Sequence, residues 1–298
     1  MENKPRVLVF LSTYNGQRYL REQLDSILAQ KDVDVAITVS DDISTDSTVE
    51  LLKEYKEKFN IQYRVNKTNK NFTYNFLDLI YDNVNADYDY FALADQDDFW
   101  LDDKLISAIN LLKESGKHFY CSNLTVVDEN LKNGKPMNKF KVKNEKAAPY
   151  IFENICTGCT VVFDQEFMKH LGKHYPNDIY LHDYWLMLVA AFTSSFIYDQ
   201  NSHILYRQHG DNQIGSGDDS LEGYTKNLKN SKGHRFNLVK ELLKGYGEEI
   251  SPKDKKDLES FLKYKKNFFI RLKFFFSPKY LAKSHPFLKK IKLLLGKY

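Results

Sequence analysis

Three carboxylates close an apolar run in Tyr88-Asp89-Tyr90-Phe91-Ala92-Leu93-Ala94-Asp95-Gln96-Asp97-Asp98-Phe99-Trp100. Side chains alternate along an extended chain, so Asp95 and Asp97 point the same way and present oxygens to one hard cation. A dication held by one or two carboxylates keeps coordination sites open for phosphate oxygens, as metal-assisted transfer from a nucleotide requires. A solvated Asp-rich turn is the other use of such a segment.

The elements that must position these groups alternate. Arg6 to Ser12 reads as a strand, Gln17 to Gln30 as a helix through Leu20, Leu24, Ile27 and Leu28, and Val35 to Ser40 as a second strand. Thr45 or Asp46 caps a helix running to Lys58, and Ile61 to Val65 is strand again. Phe72, Phe76, Leu79 and Ile80 mark a third helix before the strand Asp89 to Ala94. This order predicts an α/β fold with a mostly parallel central sheet flanked by helices, whose ligands sit beyond the carboxyl ends of the strands. Three strand ends carry polar motifs: Ser12-Thr13-Tyr14-Asn15-Gly16, Ser40-Asp41-Asp42-Ile43-Ser44-Thr45-Asp46 and the Asp95 cluster. They converge on one crevice. Neither GxGxxG nor GxxxxGK[ST] follows the first strand, which excludes the usual nicotinamide and NTP-hydrolase loops and leaves a diphosphate to be managed by metal. Asp41 or Asp42 suits the N3–H of a uracil or thymine, with Thr13 and Tyr14 lining base and ribose. Turn formation and helix capping are the structural uses of the same residues.

The chain of 298 residues, 42% hydrophobic and 28% charged, can bury a sizeable core. From Phe261 onward there are ten Lys, one Arg and no acid, so this stretch carries +11 and the net +3 of the chain leaves −8 for the rest. Phe261, Tyr264, Phe268, Leu272 and Phe275 recur at helical spacing among those cations, and Phe287 to Leu295 repeats the composition. A basic aromatic helix suits the headgroups of an anionic membrane; packing on the body or in a homodimer is the other reading. The tail reads as an appendage that catalysis does not require, so that truncation after about Gly247 is expected to release the protein from anionic vesicles and to spare activity if the catalytic domain remains folded. Nucleic acid is not expected as a partner, since no recognition motif accompanies the charge and an acidic body opposes approach. Three cysteines and no apolar leader point to a reducing, cytoplasmic location. Cys156 and Cys159 form a CxxC without a second pair, and read as small side chains on a packed turn. The longest apolar stretch, Leu186 to Tyr198, is shorter than the ~20 residues of a membrane span and reads as a buried helix entering a strand.

Arg207 and His209 alternate on the run Ile204 to His209, where a guanidinium suits phosphate and a neutral imidazole suits a metal shell. Trp100 and Trp185 suit either sugar stacking, at an acceptor, or the core.

Taken in order, Leu11-Ser12-Thr13-Tyr14-Asn15-Gly16, Ser40 to Thr48 and Ala94 to Trp100 resemble the successive nucleotide-sugar motifs of family 2 glycosyltransferases with the GT-A fold. The resemblance continues through Thr157-Gly158-Cys159-Thr160, His182-Asp183-Tyr184-Trp185 and Leu205-Tyr206-Arg207-Gln208-His209-Gly210, and is strongest to bacterial polysaccharide rhamnosyltransferases. One departure is Ile43, where the family usually carries Gly. The resemblance implies a catalytic domain over residues 1–215 and a helical C-terminal region over 216–298. It implies that Thr13, Tyr14, Asn15, Asp41, Asp95, Gln96, Asp98 and Arg207 line the nucleotide sugar, that Asp95, Asp97 and His209 hold Mn²⁺ or Mg²⁺, and that Asp183 is the general base. Asp183 opens an apolar helix, where desolvation raises its proton affinity against the pull of the helix N-terminus; capping that helix is compatible with the same position. The implied reaction is inverting transfer of a sugar, L-rhamnose from dTDP-β-L-rhamnose, to a lipid-linked surface polysaccharide, at the inner face of the cell membrane. A UDP-hexose or UDP-N-acetylhexosamine donor keeps the chemistry. A catalytically silent glycan-binding or assembly subunit is the reading of another class, against which stands the retention of all three acidic stations.

Overall fold

Alternation makes the first strand two-sided: Val7, Val9 and Leu11 enter one core cluster while Leu8 and Phe10 enter another. A strand buried on both faces belongs at the centre of a layered sheet, and that is where the computed structural model, which describes residues 4–139, 142, 147–194, 196–210, 234–280 and 286–296, places it. Strands β1 (Arg6–Thr13), β2 (Asp34–Asp41), β3 (Ile61–Val65) and β4 (Tyr90–Ala94) run parallel in the order β3-β2-β1-β4. The intervening helices are α1 (Leu20–Leu28), α2 (Thr48–Lys58) and α3 (Asn71–Asp82).

Beyond β4 the sheet is mixed. It continues through β5 (Phe99–Trp100), α4 (Lys104–Ser115), β6 (Phe119–Val127), β7 (Lys135–Pro136), β8 (Val162–Asp164), α5 (Gln165–Leu171), α6 (His182–Thr193) and β9 (Phe196–Arg207). The order extends β4-β8-β6-β9-β5, with β8 antiparallel to β4 and β6, and β9 parallel to β6. The expectation of a mostly parallel sheet therefore holds for the first half. Helices α1, α2 and α4 cover one face; α3, α5 and α6 cover the other.

The C-terminal helices α7 (His234–Tyr246), α8 (Pro252–Lys263), α9 (Phe268–Phe276) and α10 (Pro286–Leu295) extend that second face. Leu238, Leu242, Leu258, Phe261, Tyr264, Phe274 and Tyr280 share a core cluster with β1, β4 and α6. This corrects two expectations. Phe261 and Tyr264 are buried in the protein and cannot face lipid, and cutting after Gly247 would remove residues that share a core cluster with the catalytic sheet, so the tail is not a separable appendage. The single helix expected from Phe261 to Phe275 is also broken, because the Asn267 side chain accepts from the Ile270 N–H and starts α9 afresh. The expected boundary at 215 lies outside the described residues.

Candidate functional site

Parallel register brings the polar strand ends together: Thr13 lies opposite Asp41 and Leu11 opposite Ala94, so Asp95 emerges beside Ser12. Asp41 is buried. Its carboxylate accepts from the Thr13 hydroxyl (2.8 Å) and from the Ser44 N–H (2.8 Å) and hydroxyl. Asp42 turns away, accepting from the Lys70 N–H at 2.8 Å and from Asn66, and so secures the turn into α3. Asn15 also faces the loop, its side-chain oxygen accepting from the Thr45 N–H at 2.8 Å. Tyr14 is 44% exposed, leaving its ring open to a base or ribose.

Ile43 sits in this loop at φ 66°. A left-handed conformation costs an L-residue about 1–2 kcal/mol, against the roughly 0.5–1 kcal/mol of extra chain entropy that Gly loses. Ile43→Gly is therefore expected to raise stability by about 0.5–1 kcal/mol, read as a melting temperature higher by about 1–4 °C; a lower one would show that the Ile43 side chain holds the loop.

The acidic turn is braced from three sides. Gln96 exchanges hydrogen bonds with the Tyr14 backbone, accepting from its N–H at 2.9 Å and donating to its carbonyl at 3.0 Å. A Cβ on Gly16 would meet the Gln96 amide at 2.3 Å, so that glycine permits the contact. Pairing of β5 with β9 carries Arg207 and His209 to the same turn. The Arg207 N–H donates to Asp98 (3.1 Å), and its guanidinium to the Asp97 carbonyl (2.9 Å), the Glu129 carbonyl and the Glu22 carboxylate, with Tyr19 stacked at 4.6 Å. Arg207 and Gln96 thus hold the turn, and their expected roles on the nucleotide sugar are corrected: Arg207 is buried with its charge matched by Glu22, and both Gln96 amide atoms face a backbone. His209 Nε2 lies 2.9 Å from the Asp97 carboxylate.

Carboxylate oxygens, as on Asp95 and Asp97, are the donor type that a hard divalent cation takes. Burial and the neighbouring charges of Asp97 and Asp183 raise the Asp95 carboxyl to about 7, and burial also raises Asp97. Such mutual repulsion is what a bound cation relieves. Behind them Asp98 is fully buried with one oxygen lacking a protein partner, and the Asp95 and Asp98 carboxylates and the Cys159 sulfur lie within 4.8 Å of one another. Cys156 and Cys159 are both free thiols and belong to opposite core clusters.

Asp183 opens α6, and burial raises its carboxyl to about 7 despite hydrogen bonds from the Tyr184 and Gly158 backbones and from Asn154. Its charge is one of the causes that raise the Asp95 carboxyl. Asn154, donating to Asp183 at 3.1 Å, was not among the expected residues; its amide also accepts from the Cys156 N–H at 3.0 Å. Trp100 and Trp185 are 1% and 0% exposed, so neither offers a face to an acceptor, and that expectation is corrected. Trp185 donates to the Tyr81 hydroxyl, and the Lys104 ammonium lies 3.5 Å from the Trp100 ring centre.

Comparison with known proteins agrees with this geometry. The family model described as glycosyl transferase family 2 matches residues 8–172. The chain is 35% identical over 242 residues to dTDP-rhamnosyl transferase RfbG of Shigella flexneri, covering 77% of this chain and 82% of that protein. Among solved structures, S. aureus TarS 1-349 in complex with UDP superposes with a TM-score of 0.61 at 17% identity, over 91% of this chain and 74% of that one. The mannosyltransferase PcManGT from Pyrobaculum calidifontis, in complex with GDP-Man and Mn²⁺, superposes at 0.54 and 16% identity, over 99% and 75%.

Proposed function

The chain belongs to glycosyl transferase family 2, and from that premise we propose that it catalyses inverting transfer of L-rhamnose from dTDP-β-L-rhamnose to a hydroxyl of a lipid-linked bacterial surface polysaccharide, at the inner face of the membrane. The donor reading rests on the 35% identity to a dTDP-rhamnosyl transferase. The mechanistic reading is carried by one observation: Asp183 opens α6 with Asn154 donating to its carboxylate at 3.1 Å, where burial raises that carboxyl to about 7. A base of that proton affinity is poised to take a hydroxyl proton near neutral pH.

Asp95 and Asp97, with His209 against Asp97, are the residues that would hold Mn²⁺ or Mg²⁺. When bound, the cation neutralises charge developing on the departing diphosphate. Asp183 accepts the proton of the acceptor hydroxyl while the hydroxyl oxygen attacks the anomeric carbon; the bond from that carbon to the diphosphate breaks on the opposite face, which inverts the configuration. Asp41 receives the pyrimidine N3–H in place of the Ser44 contacts, and the exposed Tyr14 ring lines the base.

A UDP-sugar donor is the second reading, supported by the fold shared with S. aureus TarS, a structure of which contains UDP-GlcNAc. Purified protein, given a panel of nucleotide sugars with Mn²⁺ and a lipid-linked acceptor, is expected to release nucleoside diphosphate fastest from dTDP-rhamnose. Faster release from UDP-GlcNAc would replace the donor.

A further inference from the structure

Helix α9 carries the sequence Phe-Phe-Ile-Arg-Leu-Lys-Phe-Phe-Phe and buries only part of it. Phe274 points inward, its ring 5.4 Å from Phe152 and 4.6 Å from Tyr280 in edge-on contacts. At 3.6 residues per turn, Phe268, Leu272 and Phe276 form one stripe with Phe269 beside it, on the side away from Phe274. The exposures follow this geometry: Phe268 is 57%, Phe269 81% and Phe276 71% exposed. Three neighbouring phenylalanines in water are an apolar patch that soluble surfaces seldom carry without a partner. Lys263, Lys266 and Lys273 nearby in the chain are exposed, the last 3.8 Å from Asp257.

We propose that the outer face of α9 is a docking surface for an anionic lipid bilayer, with Phe268, Phe269 and Phe276 entering the headgroup boundary and Lys263 and Lys266 meeting lipid phosphates. Charge selects this occupant. Residues from Phe261 onward carry +11 with no acidic residue, so a second copy laid face to face would oppose like charge to like charge, whereas an anionic bilayer complements both the rings and the cations. The face differs from the stripe that spacing alone suggests, because Phe261 and Tyr264 are core residues and α9 begins only at the Asn267 cap. It is also connected to the site: Phe152, which seats Phe274, lies two residues before Asn154, the donor to Asp183. A bilayer-docked α9 thus fixes how the base faces a lipid-linked acceptor. That last consequence rests on the proposed function; the docking itself does not.

The test uses the full chain and needs neither donor nor acceptor. Vesicles of phosphatidylglycerol and phosphatidylcholine are expected to sediment the protein, with binding weakened by high salt, and pure phosphatidylcholine vesicles to bind it at least tenfold less. The variant F268S/F269S/F276S should lose at least tenfold in binding while its melting temperature stays unchanged, and K263E/K266E should weaken binding through charge alone with the rings intact. Equal sedimentation of both variants and the parent would overturn the proposal, as would equal binding to neutral vesicles. A dimer in solution that F268S/F269S/F276S dissociates would assign the face to a second copy instead. Failure of the donor panel above, with vesicle binding as described, would remove the function and leave the docking surface standing.

Discussion

Asp97→Asn is expected to lower sugar transfer by about 10²–10³-fold or more, the scale on which removal of one stabiliser of developing charge is felt. The substitution conserves volume and subtracts the charge that Asp95 needs beside it to hold a dication. It also leaves His209 a polar partner, so the turn braced by Arg207 keeps its shape. A second readout separates loss of the cation from loss of the fold. Asp95 is raised to about 7 by burial and by Asp97 and Asp183, so without metal its contribution to stability is fully present below the ordinary carboxyl range and is lost as pH rises through about 7. Saturating Mn²⁺ at pH 8 opposes that loss. At a concentration 100 times its dissociation constant it adds about 2.7 kcal/mol, read as a melting temperature higher by roughly 5 °C or more, and adds less at pH 5 where protons compete. Asp97→Asn should abolish most of this metal-linked rise and, by relieving repulsion, flatten the pH dependence of the apoprotein. Undiminished transfer in EDTA would sink the metal reading outright.

The parallel half of the sheet was legible because its information is local. Val7 to Leu11 alternate between two cores, each polar motif follows directly on its strand, and parallel register then forces Thr13, Asp41 and Asp95 to one edge whatever the rest of the chain does. The residues misread are those whose partners are distant in sequence. Arg207 looks like a phosphate ligand until Glu22, 185 positions away, takes its guanidinium. Trp100 and Trp185 look like sugar platforms because aromatic residues beside acidic motifs suit that role, and only packing against opposite core clusters reveals them as interior. Asn154 carried no signal at all, since a single amide in the loop before Cys156 acquires meaning only when α6 delivers Asp183 to it. The tail was half legible: its charge and rings were plain, but which rings face outward depends on Phe152 and on the break at Asn267. Mixed pairing beyond β4 was hidden for the same reason, as β8 is three residues long and pairs with strands far along the chain.

Asp183→Asn should lower turnover by about 10²–10⁴-fold while leaving donor affinity nearly unchanged, because a general base contributes on that scale in the transition state and touches the acceptor rather than the nucleotide. Its acidity gives the sign of the pH profile. The base works ionised, and burial holds its carboxyl at about 7, so turnover should fall about tenfold per pH unit below that value and level off above it. Saturating Mn²⁺ keeps Asp95 ionised, so the acid limb then reports Asp183. Asn154 supplies an independent check on the same group. Its hydrogen bond favours the ionised carboxylate, so Asn154→Ala should move the acid limb to higher pH and lower turnover at pH 7, with turnover recovering toward the parent's at pH 9 if protonation is the whole effect. Incomplete recovery at pH 9 measures the part of the loss that comes from orientation. A collapse of donor binding in Asp183→Asn would move that residue to the nucleotide site, and an acid limb unmoved by Asn154→Ala would leave Asn154 as a loop brace with no part in setting the base.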